Sequence, residues 1–190
     1  MPLCEAEVKL LRCFFCLPLP ADLAAALEAW IERARVVVPG ARWVSRANLH
    51  VTLRFCGEIP QPVAHRLSFG AEAALERELS EPPALRLGGW GAFGPPPKVL
   101  WGGLEGETHR LAHLNALLED LCRSEGLEPE RRRFSPHLTL ARFSFPPEAL
   151  KLPPWNFSGR EWHAGTAIFM SSCLTPAGPR YTPLKIYGKN

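Results

Sequence analysis

Aspartate is scarce in this chain of 190 residues: of its 19 acidic residues only Asp22 and Asp120 are aspartates. No group of carboxylates resembles a magnesium or calcium site, so a metal-dependent phosphoryl-transfer enzyme is hard to build from this inventory. No apolar run approaches the roughly 18 residues of a membrane span. A zinc ribbon needs two C-x-x-C pairs, and only Cys13-Phe14-Phe15-Cys16 is present. The remaining cysteines, Cys4, Cys56, Cys122 and Cys173, form no disulfide framework, which a chain this long and this rich in apolar residues does not need. No secretory leader is expected. Arg12 interrupts the apolar stretch from Leu10 to Leu19, Glu5 and Glu7 occupy the would-be basic region, and no clean cleavage signal follows. The protein is expected to be cytoplasmic, with no membrane association.

What is present is ordinary for a globular domain: 46% hydrophobic residues, 22% charged residues and a net charge of +3. The length suits one domain over 1–190. Strands are predicted over 10–17, 41–44, 48–56, 85–87, 99–101, 136–143, 166–172 and 181–187. Helices are predicted from Asp22 to about Arg35, from Gln61 to Leu79 and from Thr108 to Glu125, with Gly126 as a C-cap. Residues 144–160 are expected to be a proline-rich loop. Cys13 and Cys16, three apart on a strand, should point to opposite faces as buried structural thiols. Trp101 reads as core. His109 and His113 lie one helical turn apart but lack the glutamate of a metalloprotease pair, and read as surface residues.

One short pattern occurs twice. Leu49-His50-Val51-Thr52-Leu53 recurs as Pro136-His137-Leu138-Thr139-Leu140. Six histidines and six threonines in this chain would yield roughly 0.2 His-x-Thr occurrences by chance, and both copies sit in alternating strand patterns. On a strand, residues i and i+2 share a face. His50 and Thr52 therefore point together, as do His137 and Thr139, with aliphatic neighbours turned to the core. Two such strands side by side would gather two imidazoles and two hydroxyls. That set suits a phosphate ester. One imidazole removes a proton from a nucleophile and the other protonates the departing oxygen. The hydroxyls donate to the phosphoryl oxygens as charge builds on them.

These motifs resemble those of the two-histidine (2H) phosphoesterases, and within them the bacterial and archaeal RNA 2′,3′-cyclic phosphodiesterases, also called 2′-5′ RNA ligases. The resemblance runs through 12–20, 48–58, 99–103, 134–142 and 181–184. It implies an α+β fold of two pseudo-symmetric lobes, each an antiparallel β-sheet backed by helices, with a central catalytic cleft. It implies His50 as proton donor, His137 as proton acceptor, and Thr52, Thr139 and Arg142 as phosphate ligands. It implies no cofactor and no metal, and RNA or nucleotides with 2′,3′-cyclic phosphate termini as partners. Pro18, where aspartate is common, and the cysteines at 13, 16 and 56 depart from the family pattern.

Several further residues are candidates for substrate binding. Arg142 is expected on the face of His137 and Thr139, and Arg54 on the face of His50. Arg131, within Arg131-Arg132-Arg133, is a candidate for RNA phosphate contact. Phe134, like Phe14 or Phe15, is a candidate for stacking on a base. A nucleotide- or RNA-binding module without turnover stays open as an alternative. So does a phosphodiesterase for 2′-5′ oligoadenylate or a cyclic ADP-ribose phosphate. A monomer is expected.

Overall fold

The computed structural model describes residues 9–145, 147, 150–176 and 178–188. Cys4, Glu5 and Glu7 lie outside them. The elements follow the hydrophobic periods closely. Strand β1 (Leu10–Pro18) leads into helix α1 (Ala21–Val37), the two-residue strand β2 (Arg42–Trp43) and strand β3 (His50–Pro60). Helices α2 (Gln61–Gly70) and α3 (Glu72–Leu79) precede strands β4 (Ala84–Phe93) and β5 (Val99–Gly106). Helix α4 (Thr108–Ser124), strand β6 (His137–Arg142), the short strand β7 (Glu161–His163), and strands β8 (Thr166–Thr175) and β9 (Gly178–Gly188) complete the chain.

The strands form one antiparallel sheet in the order β7-β4-β5-β6-β3-β1-β8-β9, with β2 paired to β6. Its centre is its narrowest part. β3 and β6 meet through a single registered pair, Val51 opposite Leu138. The seam divides the sheet into two half-sheets, β3-β1-β8-β9 and β7-β4-β5-β6. These are the two lobes implied by the family resemblance. Helix α4 lies on β3, α3 on β9, and α2 on β1 and β3. Helix α1 packs through Trp30, edge-on to Trp43 and Trp155, with the Trp30 indole N–H donating to the Pro154 carbonyl at 3.1 Å. Alternate residues Cys13, Phe15 and Leu17 of β1 join Val51, Leu53, Leu138 and Leu140 in the core beneath these helices. The apolar stripe of α4 supplies Leu111, Leu114, Leu118 and Cys122 to the same core.

Three expectations change. The single helix predicted over 61–79 is two, broken at Ala71. The Tyr187 hydroxyl donates to the Ser68 carbonyl at 2.8 Å, taking an acceptor of the helical ladder, a recognised cause of a kink. Gly70 adds weak propensity at that point. Its missing side chain also lets Leu121 of α4 approach, since a Cβ there would stand 2.8 Å from Leu121 Cδ1. Strand β4 runs past Gly88 and Gly89, which form a bulge between Leu87 and Trp90 and so do not end it. Strand β7, between the predicted loop and the strand predicted from 166, where no element is expected, forms because the edge of β4 pairs with it.

Candidate active site

The histidine strands converge at the seam. Val51 and Leu138 are both fully buried, so the residues flanking them face the opposite, helix-free side of the sheet. The antiparallel register through that pair sets His50 across from Thr139 and Thr52 across from His137, at the spacing of about 5 Å typical of facing residues. The two imidazoles occupy one diagonal of this square and the two hydroxyls the other.

Each ring is held in the same way. An Nδ1 of His50 lies 2.7 Å from the Asn48 carbonyl, and an Nδ1 of His137 lies 2.8 Å from the Ser135 carbonyl. A carbonyl can only accept, so both Nδ1 atoms carry hydrogen and both Nε2 atoms are the working nitrogens. The Thr52 hydroxyl lies 3.1 Å from Nε2 of His50 and donates to it in the neutral form. Asn48 is itself anchored, its side-chain amide donating to the Pro179 carbonyl at 2.8 Å. Phe14 and Tyr181 wall the His50 ring, at centroid distances of 5.0 and 5.5 Å. Phe93 meets the His137 ring edge-on at 5.0 Å and lies 5.3 Å from the Trp101 ring.

Burial lowers the pKa of His50, against the opposing pull of the Asn48 carbonyl; the charges of Arg142 and His137 lower it further. Burial lowers His137 as well, opposed by the Ser135 carbonyl and assisted by Arg142. The Arg142 charge is thus felt at both rings. Plain alternation would send it away from His137 and Thr139, because it lies three residues beyond Thr139. A bulge reverses the parity. On β6, Leu100 of β5 pairs with Ala141 and Trp101 with Thr139, leaving Leu140 as the extra residue. The expected face is thus realised, but by a distortion of the strand.

The same distortion corrects the expectation for Arg54. On β3, Cys16 pairs with Thr52 and Phe15 with Arg54, so Leu53 is extra. Beyond it, Arg54 turns into the core, where it is 3% exposed. It pairs with Glu119 of α4 at 2.5 Å and donates to the carbonyls of Phe55 and Glu128. It is therefore a structural ion pair and has no path to a phosphate. The two bulges are equivalent: Leu53 matches Leu140, Arg54 matches Ala141, and Phe55 matches Arg142. Each bulged carbonyl is satisfied from outside the ladder, Leu53 by the Asn115 side chain at 2.8 Å and Leu140 by the Val44 amide at 2.9 Å.

Other expectations change too. Phe134 is half-buried and packs against the core, so its ring serves the interior and does not present a stacking platform. Phe15 stacks on Phe169 in the core. Phe14 is on the site face but covered by His50 and Tyr181. Arg131 does not line the pocket beside Arg142; the loop bends at 131–132, and it is Arg132 that lines that pocket. Trp101 is half-buried, paired with Thr139 and on its face, and so belongs to the site side of the sheet. Tyr181, Phe93, Arg42 and Lys98 had no local signal in the sequence, since only the strand order brings them to the site. Burial raises the thiol pKa of Cys13 to about 11 and of Cys16 to about 12, as inert structural cysteines require. His113 pairs with Glu78 at 3.7 Å on the surface. Among the described residues, no three His, Cys, Asp or Glu side chains gather as metal ligands, and no helix is long and apolar enough to cross a membrane.

Fold and paired motifs are those of the two-histidine phosphoesterase class. The chain belongs to the 2′-5′ RNA ligase superfamily, whose family model matches residues 23–163. It is 33% identical over 151 residues to the RNA 2′,3′-cyclic phosphodiesterase of Geobacillus stearothermophilus, covering 74% of this chain but only 46% of that protein. To the protein of the same name in Escherichia coli it is 32% identical over 178 residues, covering 92% of this chain and 94% of the relative. The solved structure of E. coli LigT complexed with 3′-AMP superposes with a TM-score of 0.74 at 28% identity, covering 95% of this chain and 98% of that one.

Proposed function

We propose that this protein is an enzyme that hydrolyses RNA 2′,3′-cyclic phosphate ends to 2′-phosphates by metal-independent acid–base catalysis. The observation that carries the proposal is the pair of imidazoles on one face of the seam. Both are tied through Nδ1–H to a backbone carbonyl two residues earlier, and both present Nε2 to the same space. Relatives bearing the name RNA 2′,3′-cyclic phosphodiesterase support the substrate class.

In the proposed reaction, neutral His137 Nε2 takes a proton from water as the water oxygen attacks phosphorus. The bond from phosphorus to the 3′ oxygen breaks, and protonated His50 Nε2 gives its proton to that oxygen. His137 ends protonated and His50 neutral, and exchange with solvent restores both. Thr52, Thr139 and Arg142 donate to the non-bridging oxygens, where transition-state charge accumulates. The negative charge of bound phosphate opposes the lowering of the His50 pKa and keeps the donor charged. With a 5′-hydroxyl replacing water, the same steps in either direction make or break a 2′-5′ linkage. Water, in great excess, makes hydrolysis the dominant outcome.

The test is hydrolysis of a cyclic-phosphate RNA end, with EDTA present, by the wild type and by His50→Ala and His137→Ala. Each substitution should lower kcat by at least about 100-fold, the usual contribution of a positioned acid or base, and the product should carry a 2′-phosphate. Full activity in either variant would refute the mechanism, and loss of wild-type activity on chelation would refute its metal independence.

A further inference from the structure

Beside His137, on the β2-β6-β5 side of the seam, lies an open cavity of about 460 Å³. Arg42, Lys98, Arg132 and Arg142 line it together with Phe93, Gly94 and Pro95, and no carboxylate among the described residues does. The basic residues come from four separate places: β2, the β4–β5 turn, the loop before β6, and the end of β6. Arg42 and Arg142 are directly opposite each other across the β2–β6 ladder, an arrangement that destabilises a sheet unless an anion relieves it. Several other cations do find partners: Arg35, Arg46, Arg54, Arg66, Arg86 and Lys185 each meet a carboxylate. None of the four cavity cations enters an ion pair or a side-chain hydrogen bond among the described residues. The exposed Phe93 ring stands between this basin and His137.

We infer that this basin is a second anion subsite, built for an internucleotide phosphodiester of the RNA whose reacting phosphate sits between the histidines. The inference rests on the proposed substrate class and extends it. The Arg142 charge is felt at both histidines and Arg142 also lines the basin, so it links the two phosphates. Arg42, Lys98 and Arg132 grip the second, and Phe93 offers a π-face to the nucleoside between them. A mononucleotide fills only the reacting subsite; an oligonucleotide fills both. The internucleotide phosphate can belong to the strand that ends in the reacting phosphate or to a strand presenting a 5′-hydroxyl to it.

Equilibrium binding separates this idea from catalysis. The probes are a nucleoside 2′-monophosphate, a trinucleotide ending in a 2′-phosphate and a trinucleotide with a free 5′-hydroxyl and no terminal phosphate, each titrated against wild type, Lys98→Gln, Arg132→Gln and the double variant over a range of salt. The wild type should bind the 2′-phosphate trinucleotide more tightly than the mononucleotide by on the order of 10-fold if the reacting strand supplies the diester, or should bind the 5′-hydroxyl trinucleotide with the mononucleotide already in place if the other strand does; obtaining neither result would overturn the subsite. Each substitution should erode that ratio and reduce the salt slope by roughly 0.7. Double-variant binding with the wild-type ratio and slope would overturn the subsite. Failure of the wild type to hydrolyse a cyclic-phosphate end, with these binding ratios intact, would overturn the proposed reaction and leave the subsite standing.

Discussion

His50 and His137 share a posture that follows from two carbonyls. Because Asn48 and Ser135 each accept from Nδ1–H, both Nε2 atoms are free to exchange protons, and neither ring can turn over without losing its bond. Burial and the Arg142 charge lower both pKa values from the ordinary imidazole range. The proposed reaction needs one ring neutral and the other charged. The kcat/KM profile, which reports the free enzyme, should therefore be bell-shaped with its maximum on the acid side of the ordinary imidazole pKa. Arg142→Gln removes a positive charge from both rings, which favours their protonated forms. It should shift both limbs of the profile upward in pH and lower kcat, as measured on a cyclic-phosphate substrate across pH 4–9. A profile that stays in place would remove Arg142 from the site. Arg54 makes the opposite prediction. Replacing it with alanine leaves Glu119 partly buried without its partner, at a cost of about 3 kcal/mol. That should lower Tm by roughly 6–12 °C, while activity per folded molecule persists.

Among the elements, the two bulged strands decide which side chains reach the phosphate. Each motif begins as plain alternation, His and Thr out, aliphatic in. Each then inserts one leucine, after which the faces exchange. This is why Arg54 and Arg142, similar on paper, end in opposite environments, and why simple parity fails beyond the threonines. Bulges near active sites commonly re-aim a side chain in this way. Neighbouring β4 and β5 supply a second example. Gly91 lies opposite Trp101, and a Cβ there would stand 2.4 Å from the indole Cζ2. Gly91→Ala should displace Trp101 and, through it, Phe93 beside His137. The expected cost is about 1–3 kcal/mol, read by thermal melting, with a change in tryptophan fluorescence. Unchanged fluorescence would show that the ring does not rest on that glycine.

For the whole molecule, the seam matters most. The two half-sheets carry one His-x-Thr strand each, and Val51 and Leu138 hold them in register. Leu138→Ala leaves a cavity at that joint, at a cost of about 2–5 kcal/mol. Because it loosens one lobe against the other, kcat of the folded fraction should fall as well, even though Leu138 faces away from substrate. A stability loss with wild-type kcat would mean that the lobes are aligned by other contacts.

The doubled His-x-Thr pattern, its alternation with aliphatic residues and the amphipathic helices were legible locally, because strand and helix periods are written in neighbouring residues. From them came the four residues at the seam, and from the family resemblance that those motifs carry came the α+β class. The placement of everything else depended on partners far away in the chain. A bulge exists only relative to the strand opposite it, so the fates of Arg54 and Arg142 needed β1 and β5. Strand β7 needed the edge of β4, and the break at Ala71 needed Tyr187 from the last strand. The basic basin needed β2, the β4–β5 turn and the loop before β6 brought together, and no short stretch of sequence carries that information.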